Sequence, residues 1–267
     1  MCTSFVIYSS NTFIGMNFDI SKRPIKIVLK GDNQFVVLQQ EDGQFLPAFG
    51  VNRNGTFVNL LMVQPNEEGK YRRGKNCVHI MRLFEEVLAE KTDVSQLKDY
   101  LNEKTIVNVP NYSVHSLIAG KKQNSYIVEP GRENLDIDSV KENFMVLTNF
   151  PLSENKSKNY EEVEGFGSDR YKKAYNLLLK NKDYFNDTIG FSILKETIQQ
   201  DGDYPTQFSM ISVPEENAVY FTLNGEFHKI FKFSFMDKVI RTDKGFHHKN
   251  EMPLSTKGVL LSELESW

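Results

Sequence analysis

Cysteine is scarce in this chain of 267 residues: only Cys2 and Cys77 occur. Two thiols cannot build a disulfide framework, and a Cys2–Cys77 bridge would not persist in a reducing cytosol. Long hydrophobic runs are absent, since no stretch approaches the ~20 consecutive apolar residues of a membrane helix. A secretory signal is missing too: residues 1–20 carry Asn11, Asn17 and Asp19, without a basic start or a long apolar segment. Neither sign of charge dominates, with 32 Lys+Arg against 35 Asp+Glu and a net charge of -3. That balance argues against nucleic acid or anionic membrane as a partner. The short basic clusters at 70–75 and Lys172-Lys173 read as solvated surface. There is no internal repeat and no low-complexity linker. These absences point to a cytoplasmic protein that needs no disulfide and no membrane.

What is present is an ordinary globular composition, 40% hydrophobic and 25% charged, in a chain long enough for a sizeable core. Thr3–Tyr8 and Thr12–Asp19 are β-rich runs separated by Ser9, Ser10 and Asn11. Strand-like runs follow at Ile25–Leu29, Phe35–Leu38 and Phe49–Val51. Asn52-Arg53-Asn54-Gly55 then reads as a hairpin turn into Thr56–Val63. Met81, Phe84, Val87 and Leu88 recur at helical spacing. Thr92-Asp93 caps a second helix that carries Val94, Leu97 and Leu101. Strands resume at Val114–Ala119, Ser125–Glu129 and Phe144–Thr148. Ser153–Glu164 is polar and reads as a mobile loop. Ser168 is placed to cap a helix through Leu179, and another helix is expected at Ile193–Ile198. Strands close the chain at Phe208–Val213, Ala218–Leu223 and Phe231–Phe235. This order suits one α+β domain over 1–267, with helices packed on sheets.

Position 2 carries the chemistry. Removal of Met1 would leave a cysteine with both a thiol and a free α-amine. The α-amine has a reference pKa near ~8, so much of it is neutral at physiological pH. It can take the thiol proton and later deliver one to a leaving amine, placing nucleophile and base on one residue. Asp19 and Asn17 lie two strand positions apart and share a face. Asn149 follows an apolar strand and precedes Phe150-Pro151, a setting that also suits a plain turn asparagine. Arg170 falls in the first turn of a helix. His115 reads as a satisfied histidine of a core hairpin, and Cys77 as a small core residue. His247-His248 lack companions at metal spacing, so neither a metal nor a cofactor is expected.

Met-Cys-Thr at the start and Gly15-Met16-Asn17-Phe18-Asp19 on the second strand resemble the opening of the choloylglycine hydrolase family. That family includes bile salt hydrolases and penicillin V acylases and is related to acyltransferases acting on penicillin precursors. Gly50–Gly55 is similar to the family's Gly-Met-Asn-Glu-Lys-Gly turn. Val114–Ala119 with Ser125–Glu129 resembles its Leu-His-x-Leu-Ile-x-Asp…Ser-x-x-Val-Glu hairpin. Val146-Leu147-Thr148-Asn149-Phe150-Pro151 resembles Val-Leu-Thr-Asn-x-Pro, and Gly165–Gly167 with Ser168–Tyr171 resembles the Gly-rich loop before its Ser-Arg-Phe helix start. The resemblance implies a four-layer αββα N-terminal-nucleophile hydrolase sandwich of two antiparallel sheets flanked by helices. It implies a small-molecule acyl amide substrate and cleavage of a linear, non-peptide C–N bond through a thioester on Cys2. Asp19 would then hold the Cys2 end, and Asn149 would donate to the tetrahedral oxyanion, worth roughly 3 kcal/mol. A backbone N–H near Leu61 or Met62 would be the second donor. Arg170 would organise the neighbourhood of Cys2, with Asn17 behind it.

Three departures from the pattern stand out. Met16 replaces an arginine that in the family assists at the nucleophile, which unsettles the substrate contacts there. Gly120 replaces the hairpin aspartate. Only twenty residues separate Asn149 from Arg170, too few for the insertion that helps bile salt hydrolases form tetramers, so any homo-oligomer is expected to be of another kind. Acyl transfer to an amine and a non-catalytic ligand-binding relative are the alternatives to hydrolysis. A cysteine protease of another fold would instead put His115 beside Cys2.

Overall fold

The computed structural model describes residues 2–121 and 123–267. Successive side chains of a strand point to opposite faces of its sheet. On β1 (Thr3–Tyr8) and β2 (Thr12–Asp19) every residue is buried, so both faces of this pair must be covered. Ser4 and Tyr8 reach the opposite sheet, through Asn59 Nδ2 at 2.8 Å and Gly120 O at 2.8 Å. Thr3, Phe5, Phe13 and Asn17 point the other way, toward helices.

The sheet built around this pair has eight strands in the order β13-β1-β2-β14-β15-β16-β17-β18. Its other members are β13 (Phe144–Leu147), β14 (Thr206–Val213), β15 (Ala218–Leu223), β16 (Ile230–Ser234), β17 (Val239–Lys244) and β18 (Glu251–Pro253). The second sheet runs β12-β11-β10-β6-β5-β4-β3-β19, with β7 also paired to β10. These strands are β3 (Ile25–Lys30), β4 (Gln34–Glu41), β5 (Gln44–Asn52), β6 (Phe57–Asn59), β7 (Leu61–Met62), β10 (Val114–Ala119), β11 (Ser125–Val128), β12 (Leu135–Asp136) and β19 (Val259–Leu260). Every pairing in both sheets is antiparallel. The short strands β8 (Cys77–His79) and β9 (Thr105–Val107) form a separate parallel pair.

Ile27, Leu29, Phe35 and Val37 face the other sheet, whereas Val28 and Val36 pack under α1 (Ile80–Leu88) and the segment leading into α2 (Leu97–Glu103). On the far side α3 (Ser168–Asn181) and α4 (Asp187–Glu196) cover β13, β1, β2 and β14. The layers are therefore helices, sheet, sheet, helices, the expected αββα arrangement, with the short α5 (Leu261–Leu264) beside β19. Phenylalanine fills the inter-sheet layer: Phe35 meets Phe233 at 5.1 Å, and Phe208 stacks on Phe221 at 5.1 Å. Offset and tilted pairs of this kind add to the burial of large apolar surface.

Several boundaries differ from the sequence reading. α3 is capped by Gly167, with Ser168 as its first residue, because the chain enters the helix at φ 81°, a conformation glycine adopts without strain. α4 begins at Asp187, where Asn186 Oδ1 accepts from Ile189 N at 2.9 Å. Gly190 sits where a Cβ would lie 2.7 Å from Ile211 Cδ1, so it lets α4 approach β14. The segment Ser153–Glu164 does not behave as a free loop. Leu152, Ser153, Asn155 and Val163 are buried, and Tyr160 stacks on Tyr175 at 4.4 Å. β8, β9, β12, β17, β18, β19 and α5 carry no strong period of their own and form by pairing or packing against neighbours.

Gly15 on β2 faces Phe5 directly across the β1–β2 ladder, and a Cβ there would come within 2.3 Å of the ring. Gly15→Ala must push a fully buried phenylalanine off its site, an overpacking that costs about 1–3 kcal/mol. A lower urea midpoint with an unchanged slope is the expected result; an unchanged midpoint would refute the close packing.

Candidate active site

Cys2 lies at the start of β1 and is 5% exposed. Its backbone N–H donates to Asn149 Oδ1 at 2.8 Å, and its Sγ stands 3.8 Å from the Asp19 carbonyl oxygen. Asn149 is delivered by the end of β13, the strand next to β1. Its Nδ2 donates to Met62 O at 2.8 Å, which ties it to the second sheet.

Arg170 comes from the first turn of α3 and is also buried. Its Nη1 donates to Cys2 O at 2.7 Å and Thr3 Oγ1 at 3.0 Å, and lies 3.4 Å from Asp19 Oδ2. Its Nη2 donates to Asn149 Oδ1 at 3.0 Å. The preceding loop makes this geometry available. At Gly167 a Cβ would stand 2.5 Å from Arg170 Nη2, so only glycine leaves room for the guanidinium to fold back. Thr148 Oγ1 donates to Gly167 O at 3.0 Å and pins that loop to the end of β13.

Asp19 closes the group from β2. Thr206 Oγ1 donates to its Oδ1 at 2.6 Å, and Gln199 Nε2 to its Oδ2 at 3.4 Å. Burial pushes its carboxyl pKa up to about 6, against the opposing pull of Thr206 and Arg170. Between pH 3.8 and about 6 the folded chain therefore holds a proton there that the unfolded chain has released. Asp19 thus takes stability away as the pH rises through that window. Burial likewise pushes the Cys2 thiol above its ordinary value; the Asp19 charge adds to this and Arg170 opposes it.

The four residues singled out as catalytic, Cys2, Asp19, Asn149 and Arg170, thus meet in one place. Met1, whose removal the sequence reading requires, lies outside the described residues. Asn17 shares the face of Asp19 but serves the scaffold: its Nδ2 donates to Leu194 O at 2.8 Å and Thr197 Oγ1 at 3.1 Å, and its Oδ1 accepts from Ser209 Oγ at 2.7 Å. Met16 differs from the expectation of a substrate contact. Its position on β2 turns it into the inter-sheet core, fully buried, with Asn59 Nδ2 3.7 Å from its Sδ. Met62 is 52% exposed and lines a cavity. Cys77 and Cys2 are free thiols.

That cavity, about 680 Å³, opens in front of Cys2, Asp19 and Asn149. Its walls are mostly apolar, from Phe18, Leu46, Ala48, Leu60, Met81 and Val114, and it is joined by Arg23, Gln39, Glu41 and Tyr112. These last four went unnoticed in the sequence. Gln39 and Glu41 continue the alternation of Phe35 and Val37, but their faces meet the cavity only once the two sheets are stacked.

His115 does not serve Cys2. Its Nε2 lies 2.7 Å from Thr148 O and its Nδ1 2.9 Å from Glu129 Oε1, with both side chains fully buried. Glu129 also accepts from Leu152 N and Ser153 N, each at 2.9 Å. A carbonyl can only accept, so Nε2 carries a hydrogen, and the Nδ1–Oε1 contact needs one more shared proton. Burial acts upward on the Glu129 carboxyl, but its bonds to His115 and Ser153 outweigh it and hold the group below its usual range. This pair grips the segment Thr148–Ser153 on both sides of Asn149.

Two antiparallel sheets between helix layers, with a cysteine at position 2 at a cleft, define an N-terminal-nucleophile-hydrolase-like fold. Over residues 9–190 the chain matches the model of linear amide C–N hydrolases, choloylglycine hydrolase family. The chain belongs to that family. Its fold is similar to that of a mutant conjugated bile acid hydrolase from Clostridium perfringens, with a TM-score of 0.67 at 17% identity, covering 96% of this chain and 98% of the other. It is similar to penicillin V acylase from Agrobacterium tumefaciens, with a TM-score of 0.65 at 14% identity, covering 97% and 100%. It also resembles a Caenorhabditis elegans ortholog of N-acylethanolamine-hydrolyzing acid amidase, with a TM-score of 0.51 at 19% identity, covering 80% and 93%. No curated protein matches the chain in sequence.

Glu129→Ala strips His115 and two backbone N–H groups of their buried partner. Breaking a buried pair in this way costs about 3–5 kcal/mol. Urea unfolding is expected to register a loss of that size, and a change below about 1 kcal/mol would argue against the shared-proton pair.

Proposed function

We propose that the chain hydrolyses linear, non-peptide amides by nucleophilic attack of Cys2 after Met1 is removed. The observation that carries this reading is the convergence of Asn149, Arg170 and Asp19 on Cys2 at the mouth of an apolar cavity. A thiol that burial keeps protonated needs a base. The freed α-amine, carried by the same residue as Sγ, is that base. It takes the thiol proton as the S–C bond forms at the carbonyl carbon, then passes it to the leaving nitrogen as the C–N bond breaks. Water resolves the thioester with the same amine as base, releasing the acid and the free thiol.

The amide of Asn149 holds two hydrogens on Nδ2, and Met62 O takes one. The other is available to the oxyanion. Asn149 Oδ1 and the Asp19 carboxylate receive the ammonium that forms on Cys2. Asp19 serves only when ionised. Activity is therefore expected to fall as the pH drops through about 6, the value to which burial raises its carboxyl. Asp19→Asn should remove that acid limb from the kcat/KM profile while lowering the plateau. An unchanged limb would transfer the ionisation to another group.

Cys2→Ser is expected to abolish turnover. Asn149→Ala is expected to lower kcat about 10²–10³-fold with little change in KM, the range seen for a lost oxyanion donor. Intact-protein mass spectrometry in the presence of acyl amides gives the direct test. A mass lacking Met1, with acyl adducts on Cys2, is the expected outcome. Retained Met1 without adducts would favour a non-catalytic ligand-binding relative.

A further inference from the structure

β4 presents Phe35, Val37, Gln39 and Glu41 on one face. The first two are fully buried between the sheets, and the last two line the cavity. A wall built only for an apolar acyl chain would continue with apolar residues. Here it turns polar, and the way its groups are paired restricts what can enter.

The charged residues lining the cavity are Asp19, Arg23 and Glu41. Asp19 is engaged by Arg170 at 3.4 Å. Arg23 is the one base among them, and all its nitrogens are committed. Nη1 is paired with Glu41 Oε2, Nη2 donates to Ser21 Oγ at 2.5 Å, and Nε donates to Ser21 O at 3.3 Å. Arg23 is thus paired with Glu41, and Asp19 with Arg170, so among the described lining residues no cationic side chain is left without an anion. Gln39 adds a second constraint: its Oε1 is buried and has no hydrogen-bond partner. A buried acceptor without a donor is costly, so it favours a ligand that brings an N–H or O–H.

We propose that this cleft selects acyl amides whose amine part is uncharged and carries a hydrogen-bond donor for Gln39, and that it disfavours amine parts bearing a carboxylate or sulfonate. An anion would lose its hydration, find no free cation, and meet Glu41 and the Gln39 oxygen, all of which oppose it. The inference rests on the hydrolase reading above and adds the class of amine.

Two matched pairs isolate charge from size: N-decanoylglycine against N-decanoylglycinamide, and N-(4-phenylbutyryl)glycine against its glycinamide. Their hydrolysis is measured with the Met1-processed chain at pH 7.5. The glycinamide is expected to have at least tenfold higher kcat/KM in each pair. Equal rates, or preference for the glycine conjugate, would overturn this inference alone. Cleavage of none of the four would overturn the hydrolase reading and this one with it. Glu41→Gln frees the charge of Arg23 and is expected to narrow the ratio at least threefold by raising the glycine conjugate. An unchanged ratio would show that the Arg23–Glu41 pair is not the cause. Gln39→Leu is expected to lower kcat/KM severalfold more for N-decanoylglycinamide than for N-decanoylpropylamide. Equal losses on both would refute the role of its oxygen.

Discussion

The buried guanidinium of Arg170 is the constraint on which the rest of the site depends. It binds the carbonyl of Cys2, the hydroxyl of Thr3, the carboxylate of Asp19 and the amide oxygen of Asn149. These acceptors come from β1 and the residue before it, from β2, and from the segment that follows β13. A charge taken out of water costs several kcal/mol unless every donor finds a partner. The strands must therefore hold their positions for the arginine to be tolerated, and the arginine in turn holds the nucleophile's backbone. Gly167 makes the contact sterically feasible, since any side chain there would occupy the space of Nη2.

A second buried charge pair supports the first from the opposite side. His115 and Glu129 come from adjacent strands of the other sheet and reach the backbone at Thr148, Leu152 and Ser153. Asn149 is thus clamped between two polar anchors, one in each half of the sandwich, while phenylalanines fill the space between the sheets. The segment after it reads as polar and loose along the chain, yet it is tightly packed. Its order comes from a carboxylate more than twenty residues away. The same two-sheet geometry opens the cavity, which the strand ends carrying Cys2, Asp19 and Asn149 share with Gln39 and Glu41 of β4 and Leu46 and Ala48 of β5.

Much of this was legible in the residues. Thr3–Tyr8 and Thr12–Asp19 were readable as strands because both runs are β-rich and a turn separates them, while their burial on both faces came only with the packing of helices and the second sheet. Cys2, Asp19, Asn149 and Arg170 could be picked out by their resemblance to a family pattern, and the structure brings them together. Met16 and Gln39 show where such reading stops. Met16 matches a motif position near the nucleophile, but the parity of β2 turns it into the core. Gln39 looks like an ordinary polar strand residue until the second sheet buries its oxygen.

The sequence by itself determined the β-rich runs that become the central strands, the position of the thiol at residue 2, and the glycine that admits Arg170. These are properties of single residues and of spacing along one strand, and they act locally. The tertiary structure alone decided which groups are brought together: the pairing of Arg23 with Glu41, the buried contact of His115 with Glu129, and the rise of the Asp19 pKa to about 6. Desolvation and charge pairing depend on distances between residues far apart in the chain. They become defined only when the strands have come into register and water has been excluded.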